Sequence, residues 1–371
     1  MRVAVDATSL LDTRTGVGNF TAAVIDGLAG RSDVDATAFP VSFRGHRRLR
    51  DAVPSGVSVA TTALPARVAR QAWLRADRPR IDRFIGSHDL VYGPNFVVPP
   101  SRTPRLATVH DLTSVHFPEL CTSDTLQYPR LLRRAIADGA WIHTVSDAVR
   151  AEVVEHLCAD PDRVVTVHNG FTPMSGGDAV AGRRLAGHDS FVLAVGTVEP
   201  RKDLPTLFRA IDLLAQDGRH IPLVHVGHDG WGVEGAETAH RAMSHPGSVT
   251  RLGRRSHEEL VDLLAAARIF AYPSKYEGFG LPILEAMSAE VPVVASDIPA
   301  IREVAGDAAT LVPTGDADRV AAAIDALWSD EAARGDHVSR GVVRASRFSW
   351  DRCVDGLVHV FHDVVADGPR R

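Results

Sequence analysis

Ile269-Phe-Ala-Tyr-Pro-Ser-Lys-Tyr-Glu-Gly-Phe-Gly-Leu-Pro-Ile-Leu-Glu-Ala-Met287 contains the change of period that decides the fold. Residues 269–272 form a short apolar run, the signature of a strand buried on both faces. Gly278 and Gly280 then disfavour helix, whereas Pro282 suits a helical first turn, so a loop hands over to a helix at 282–289. Another apolar run at 291–295 reads as the next strand. Strand, loop, helix and strand at this spacing make a parallel β-α-β unit.

The same alternation extends in both directions. Upstream in this half, strands are expected at 191–195, 223–226 and 249–252, with helices at 204–216 and 257–267; a helix follows at 317–328. In the first half, strands are expected at 3–6, 90–92, 105–109, 141–145 and 164–167. A polar loop at 8–18 precedes a helix at 20–28. Further helices are read at 131–138 and 147–157, the latter with Ser146 as its cap. Residues 172–190 are rich in Gly, Asp and Arg without apolar period and read as a linker. The fold class is therefore α/β, with two Rossmann-like domains at 1–175 and 190–345. An amphipathic helix within 349–371 is free by pattern to pack on either domain, the N-terminal one included.

Composition narrows the function. At 371 residues, with 45% hydrophobic and 23% charged, the chain is an ordinary globular one with room for two cores. A net charge of −5 argues against nucleic acid as partner. Three distant cysteines give neither a disulfide framework nor a zinc site. No apolar run approaches the roughly 18 residues of a membrane span, and Asp6 interrupts any leader-like start, so a cytoplasmic chain is expected. Ten arginines between Arg44 and Arg83 face only Asp51, Asp77 and Asp82, a basic segment suited to an anionic acceptor or to peripheral contact with the inner membrane face.

Ligands of open parallel sheets sit beyond the carboxyl ends of the strands, and the chemistry-bearing residues follow strands. The chain has only two lysines, Lys202 and Lys275, and both fall in such segments. Arg201 and Lys202 lie just before the 204–216 helix, where two fixed cations beside a helix N-terminus suit a pyrophosphate. Glu277 on a loop and Glu285 in the following helix can hold different hydroxyls of one long ligand. Between them the glycines let the N–H groups of Phe279, Gly280 and Leu281 approach its negative centre. Three Asp-x-Asp pairs (Asp33/Asp35, Asp160/Asp162, Asp316/Asp318) lie away from strand ends, and no metal site is expected of them. Fixed Arg and Lys charge can take a cation's place at a leaving group.

These segments, Gly196-Thr-Val-Glu-Pro-Arg-Lys202, Gly227-His-Asp-Gly-Trp231, Tyr276-Glu-Gly-Phe-Gly-Leu-Pro-Ile-Leu-Glu-Ala-Met287, Val293-Val-Ala-Ser296 and Glu303-Val-Ala-Gly-Asp-Ala-Ala309, resemble family 4 of the retaining nucleotide-sugar glycosyltransferases. The resemblance runs to about residue 360 and is most specific in the second half. It implies the GT-B fold, two Rossmann-like domains facing across a cleft, with 1–175 on the acceptor side and 190–345 binding the nucleotide sugar. Arg201 and Lys202 would neutralise the donor diphosphate, Glu277 would contact the transferred sugar and Glu285 the ribose hydroxyls. Thr197 belongs to the same donor loop. Thr15-Gly-Val-Gly-Asn-Phe20 is similar to the family's glycine-rich loop, which brings Gly16 and Gly18 to the sugar and phosphates. Val109-His-Asp-Leu112 is similar to the segment whose histidine, here His110, touches the donor sugar. The chain departs from the family pattern at Gly196-Thr-Val, which lacks a common extra arginine, and at Glu290, where glycine is usual.

The expected reaction is transfer of a hexose, with mannose from GDP-mannose favoured, to a hydroxyl of a saccharide or lipid-linked saccharide. It would retain the anomeric configuration and need no metal or separate cofactor. The competing readings are a nucleotide-sugar epimerase or phosphorylase of the same fold, a nicotinamide dehydrogenase, disfavoured by the broken glycine pattern, and a non-catalytic nucleotide-sugar sensor.

Overall fold

The computed structural model describes residues 1–11, 16–43, 45–62 and 64–369. Thr15 of the glycine motif and Arg44 of the basic segment lie outside them. The chain divides into two compact units, Met1–Gly170 together with Ser349–Arg371, and Phe171–Phe348.

The first unit is built on seven strands: β1 (Arg2–Asp6), β2 (Asp35–Phe39), β3 (Ser58–Val59), β4 (Leu90–Gly93), β5 (Arg105–Val109), β6 (Trp141–Thr144) and β7 (Val164–Thr166). Their order is β3-β2-β1-β4-β5-β6-β7 and every pairing is parallel. The second unit has β8 (Val192–Val195), β9 (Leu223–Val226), β10 (Val249–Gly253), β11 (Ile269–Tyr272), β12 (Val293–Ser296) and β13 (Ala309–Val312). These also run parallel, in the order β10-β9-β8-β11-β12-β13. Both are doubly wound sheets. The strand order reverses between β1 and β4 in one and between β8 and β11 in the other, and at such a point the departing loops diverge and open a crevice.

The closing helix, Trp350–Asp367, is capped by Ser349, whose side chain accepts from the Arg352 N–H. Its apolar face, including Val354, Leu357, Val358 and Phe361, joins the core of the first unit. The contact with the helix Gly16–Ala29 depends on a missing side chain, since a Cβ on Gly27 would lie 2.6 Å from Val354 Cγ2.

Three expectations are corrected. The 172–190 segment is no bare linker: it contains the helix Ala179–Ala186, capped by Asp178 and ended by Gly187 in left-handed conformation. That helix lies on His257–Ala266 so closely that a Cβ on Gly182 would meet the Asp262 carbonyl oxygen at 2.0 Å. Backbone packing of this kind needs glycine rather than an apolar stripe, so periodicity was silent. The loop expected at 8–18 is shorter, because a 3-10 turn occupies Thr8–Leu10 and Gly16 and Gly18 lie in the first turn of the helix. Strands β2 and β13 and the helices Val233–Arg241, Pro299–Ala305 and Glu331–Ala345 were not anticipated. The first strand is dominated by small residues and the last helix is polar on most of its surface.

Each Asp-x-Asp pair has local work. Asp160 and Asp316 cap the turns or helices that follow them, and Asp33 pairs with Arg31 at 2.9 Å. At Glu290 the backbone has φ 62°, a conformation that costs a residue with a Cβ roughly 1–2 kcal/mol. Glu290→Gly should therefore raise the melting temperature of this unit by about 2–4 °C, measured by scanning calorimetry; an unchanged or lower midpoint would remove the strain argument.

Candidate active site

Beside the reversal between β8 and β11, the loop after β8 is fixed by two glycines. A Cβ on Gly227, just past β9, would lie 1.8 Å from the Gly196 carbonyl oxygen, so the two strand ends meet backbone to backbone. His225 Nε2 lies 2.9 Å from that same carbonyl and donates to it. Val198 bridges to Asp229, and Thr197 Oγ1 is 3.1 Å from His228 Nε2. The chain then makes the short turn Pro200–Lys202 and enters the helix Leu204–Gln216 through Asp203, which has φ 50°.

That turn carries Arg201 and Lys202 to the loop after β11. Lys202 Nζ donates to Glu277 Oε1 at 2.5 Å and to the Tyr272 hydroxyl at 2.7 Å. Arg201 Nη1 reaches Glu277 Oε2 at 3.1 Å, while its Nε donates to Glu199 at 2.7 Å. The Glu277 side chain is only 9% exposed. Burial alone would raise its pKa, but Lys202 and Arg201 outweigh that and hold it down at about 2. Burial lowers the Lys202 ammonium and pushes the Tyr272 phenol well up. Among the described residues, the third Lys202 proton has no acceptor in the protein.

A second clasp braces the same two loops. Lys275 Nζ pairs with the buried Asp203 at 2.9 Å, and the Lys275 N–H donates to the Arg201 carbonyl at 2.7 Å. Asp203, Glu199 and Tyr272 were not singled out from sequence. The signal was their place just after strands or at strand ends, next to residues that were.

The helix Leu281–Ser288 begins after Gly280, at φ 102°, a cap residue with no side chain to offer. Its opening turn includes Leu281, and Phe279 just before it is buried edge-on against Phe348. Glu285, in the second turn, is half-buried and receives no donor from the protein among the described residues. Burial lifts its carboxyl to about 7. The two glutamates are thus opposites, one saturated by cations and one bare.

In the first unit, His110 follows β5. Its Nε2 lies 2.8 Å from the Pro94 carbonyl, which can only accept, so Nε2 carries the proton. Burial lowers its pKa, leaving a neutral ring with Nδ1 as an acceptor, wedged edge-on against Phe20 at 4.9 Å and Phe96 at 5.6 Å. In the basic segment, Arg78, Arg80 and Arg83 join Arg102 around a hollow of about 350 Å³. Asp82, also at its wall, is engaged by Ser101 and the Arg102 N–H.

The Glu285 carboxyl sets a pH dependence. Its folded pKa lies above the ordinary value of 4.5, so the folded state holds the proton more tightly and stability falls as pH rises from about 4.5 to about 7. Glu285→Gln removes that loss. Melting curves should show the variant gaining on the parent between pH 5 and pH 8, by roughly 5 °C at the upper end; parallel pH profiles would contradict the burial of an unpaired carboxyl.

Known proteins fit this architecture. The family described as glycosyl transferases group 1 matches residues 181–341. O-antigen chain mannosyltransferase B of Escherichia coli is 34% identical over 301 residues, covering 79% of this chain and 77% of that protein. Phosphatidyl-myo-inositol mannosyltransferase of Mycolicibacterium smegmatis is 28% identical over 338 residues, 87% of this chain and 84% of its own. Among solved structures, Anabaena HepE in complex with UDP and glucose superposes with a TM-score of 0.72 at 18% identity, over 97% of this chain and 99% of that one. The lipopolysaccharide glycosyltransferase WaaG does so with a TM-score of 0.72 at 16% identity, over 97% and 99%. The chain belongs to the glycosyl transferases group 1 family and is a glycosyltransferase of the GT-B fold.

Proposed function

We propose that the chain moves a hexose from a nucleotide diphosphate sugar to a hydroxyl of a saccharide or lipid-linked saccharide, with retention at the anomeric carbon and without a metal ion. Mannose from GDP-mannose is the donor we favour, because two relatives that match most of their own length are named mannosyltransferases. Structural neighbours in complex with UDP and with UDP-glucose support a nucleotide diphosphate sugar as the donor class. The observation that carries the reading is the Arg201–Lys202–Glu277 cluster beside a helix start with glycine as its cap residue, at the reversal of the second sheet.

As the glycosidic bond lengthens, the leaving diphosphate gathers negative charge. The remaining Lys202 proton, the Arg201 guanidinium and the N–H groups around Phe279, Gly280 and Leu281 stabilise that charge more in the transition state than in the ground state. Two fixed cations supply what a divalent ion would otherwise supply. We assign the ribose hydroxyls to the bare Glu285 carboxylate, and the transferred sugar to Glu277 and the neutral Nδ1 of His110. Thr197, Gly16 and Gly18 complete the donor contacts in this reading.

Retention without a double displacement is supported by Glu277 itself. A carboxylate held at about 2 by two cations is a weak base and a weak nucleophile. A same-face route, in which the departing phosphate takes the acceptor proton, asks no such work of it. The hollow ringed by Arg78, Arg80, Arg83 and Arg102 supports an added contact with an anionic surface such as a membrane. No helix among the described residues is long and apolar enough to cross one.

Lys202→Ala should lower kcat on the order of a hundredfold or more. Saturating GDP-mannose should raise the melting temperature more than UDP-glucose, with about 2.7 kcal/mol of stabilisation at 100 times the dissociation constant. Product analysis should give an α-linked hexoside only when acceptor is present. Near-normal turnover in Lys202→Ala, or a sugar epimer formed without acceptor, would overturn the reading.

A further inference from the structure

The hollow ringed by Arg78, Arg80, Arg83 and Arg102 lies at the edge of its sheet that the transfer chemistry does not use. Residues 78–83 belong to the stretch that leads into β4, and Arg102 stands three residues before β5. The two strands run parallel, so the hollow sits at their amino ends. His110 follows β5 at its carboxyl end, and four steps of about 3.3 Å put roughly 13 Å of strand between the two. A group bound in the hollow is therefore not the one that reacts.

Its walls are tied together. The Ile81 N–H donates to the Pro100 carbonyl at 2.9 Å, and the buried Trp73 indole donates to the Pro79 carbonyl at 3.0 Å. Asp82 joins the two stretches, accepting from the Ser101 hydroxyl at 2.5 Å and from the Arg102 N–H at 3.1 Å. Its carboxylate is thus occupied by uncharged donors. The flanking acids are taken as well, Asp77 by Arg134 at 3.0 Å and Asp89 by Arg2 at 3.2 Å. Among the described residues, the guanidinium groups of Arg78, Arg80, Arg83 and Arg102 have no carboxylate partner.

Charge and shape select the ligand. Four unpaired guanidinium groups around about 350 Å³ call for more than one negative group, and the planar fork of arginine matches phosphate oxygens two at a time. The described lining has no aromatic ring on which a base could stack and, beyond Pro79, no apolar side chain to seat a peptide. We propose that the hollow is a second phosphate site, at the amino edge of the first sheet, which takes a ligand bearing two phosphate groups. The site is independent of the glycosyl-transfer reading, because its ligand is not consumed. Free in solution such a ligand is an effector, and on a lipid headgroup it is an anchor; the phosphate chemistry is shared.

Titration calorimetry of the full chain with inorganic pyrophosphate tests this, at fixed ionic strength and with GDP saturating the donor site. One equivalent of pyrophosphate should bind. Arg83→Gln and Arg102→Gln should each weaken it at least tenfold. Arg75→Gln, which alters an exposed arginine of the same segment away from the hollow, should leave it unchanged. GDP binding and melting temperature should be equal in all four proteins. Phosphatidylcholine vesicles carrying phosphatidylinositol 4-phosphate identify the source: capture that pyrophosphate releases assigns the phosphates to a headgroup, and no capture assigns them to a soluble ligand. Absence of pyrophosphate binding, equal weakening by Arg75→Gln, or capture that pyrophosphate does not release would overturn the proposal. Failure of GDP to bind the parent protein would instead count against the donor reading.

Discussion

The ion cluster that joins Arg201 and Lys202 to Glu277 is the constraint on which the rest of the second unit depends. Its members are 75 or 76 positions apart in sequence and meet only because β8 and β11 are neighbours in the sheet. A buried carboxylate of this kind is costly unless paired, and losing one partner of a buried pair typically costs 3–5 kcal/mol. Both loops are therefore locked in place: the turn Pro200–Lys202 cannot move from the loop after β11 without stranding charge. The Lys275–Asp203 clasp adds a second tie between the same segments. The cost of this rigidity is borne in the ground state, and among the described residues it leaves one Lys202 proton without an acceptor.

The sheets explain why the polar groups lie where they do. In each, the strand order reverses once, and beside each reversal a glycine that admits no side chain lets backbone meet backbone: Gly227 against Gly196 in one, Gly93 against Val97 of its own loop in the other. Each crevice then receives one carboxylate that is neutralised or shared and one acceptor atom that is not. Glu277 and Glu285 divide these roles in the second unit. In the first, the two oxygens of Asp6 divide them. Burial is what raises both Glu285 and Asp6 above the usual carboxylate range, in Asp6 against the pull of the two Thr8 donors and Arg70.

Much of the fold was legible because buried parallel strands are written as short apolar runs. Leu223–Val226, Ile269–Tyr272 and the helices Leu204–Gln216 and Asp147–Leu157 lie where pattern and caps put them, Ser146 accepting from Val149 as a cap should. What period could not convey was contact made by backbone. The helix Ala179–Ala186 rests on glycine and carbonyl oxygen, and its sequence reads as linker. At the candidate site, residue types and strand-end positions drew attention to Arg201, Lys202, Glu277 and Glu285. Their division of labour was hidden, since the spacing that brings Glu277 onto two cations and leaves Glu285 bare is tertiary. Tyr272, written as a strand residue, gave no sign that its hydroxyl would accept a hydrogen bond from a lysine. Glu290, by contrast, was legible as a departure from a glycine position, and its positive φ is the physical reason glycine is usual there.

The central claim is that Lys202 and Arg201 are arranged for a second phosphate. Titration calorimetry of the parent protein and of Lys202→Met with nucleoside diphosphate and monophosphate, as guanosine and uridine pairs, isolates that contribution. The account predicts that the parent prefers a diphosphate at least tenfold and that the preference collapses in the variant. Equal affinity for mono- and diphosphate in the parent, or a preference that survives the loss of Lys202, would contradict it.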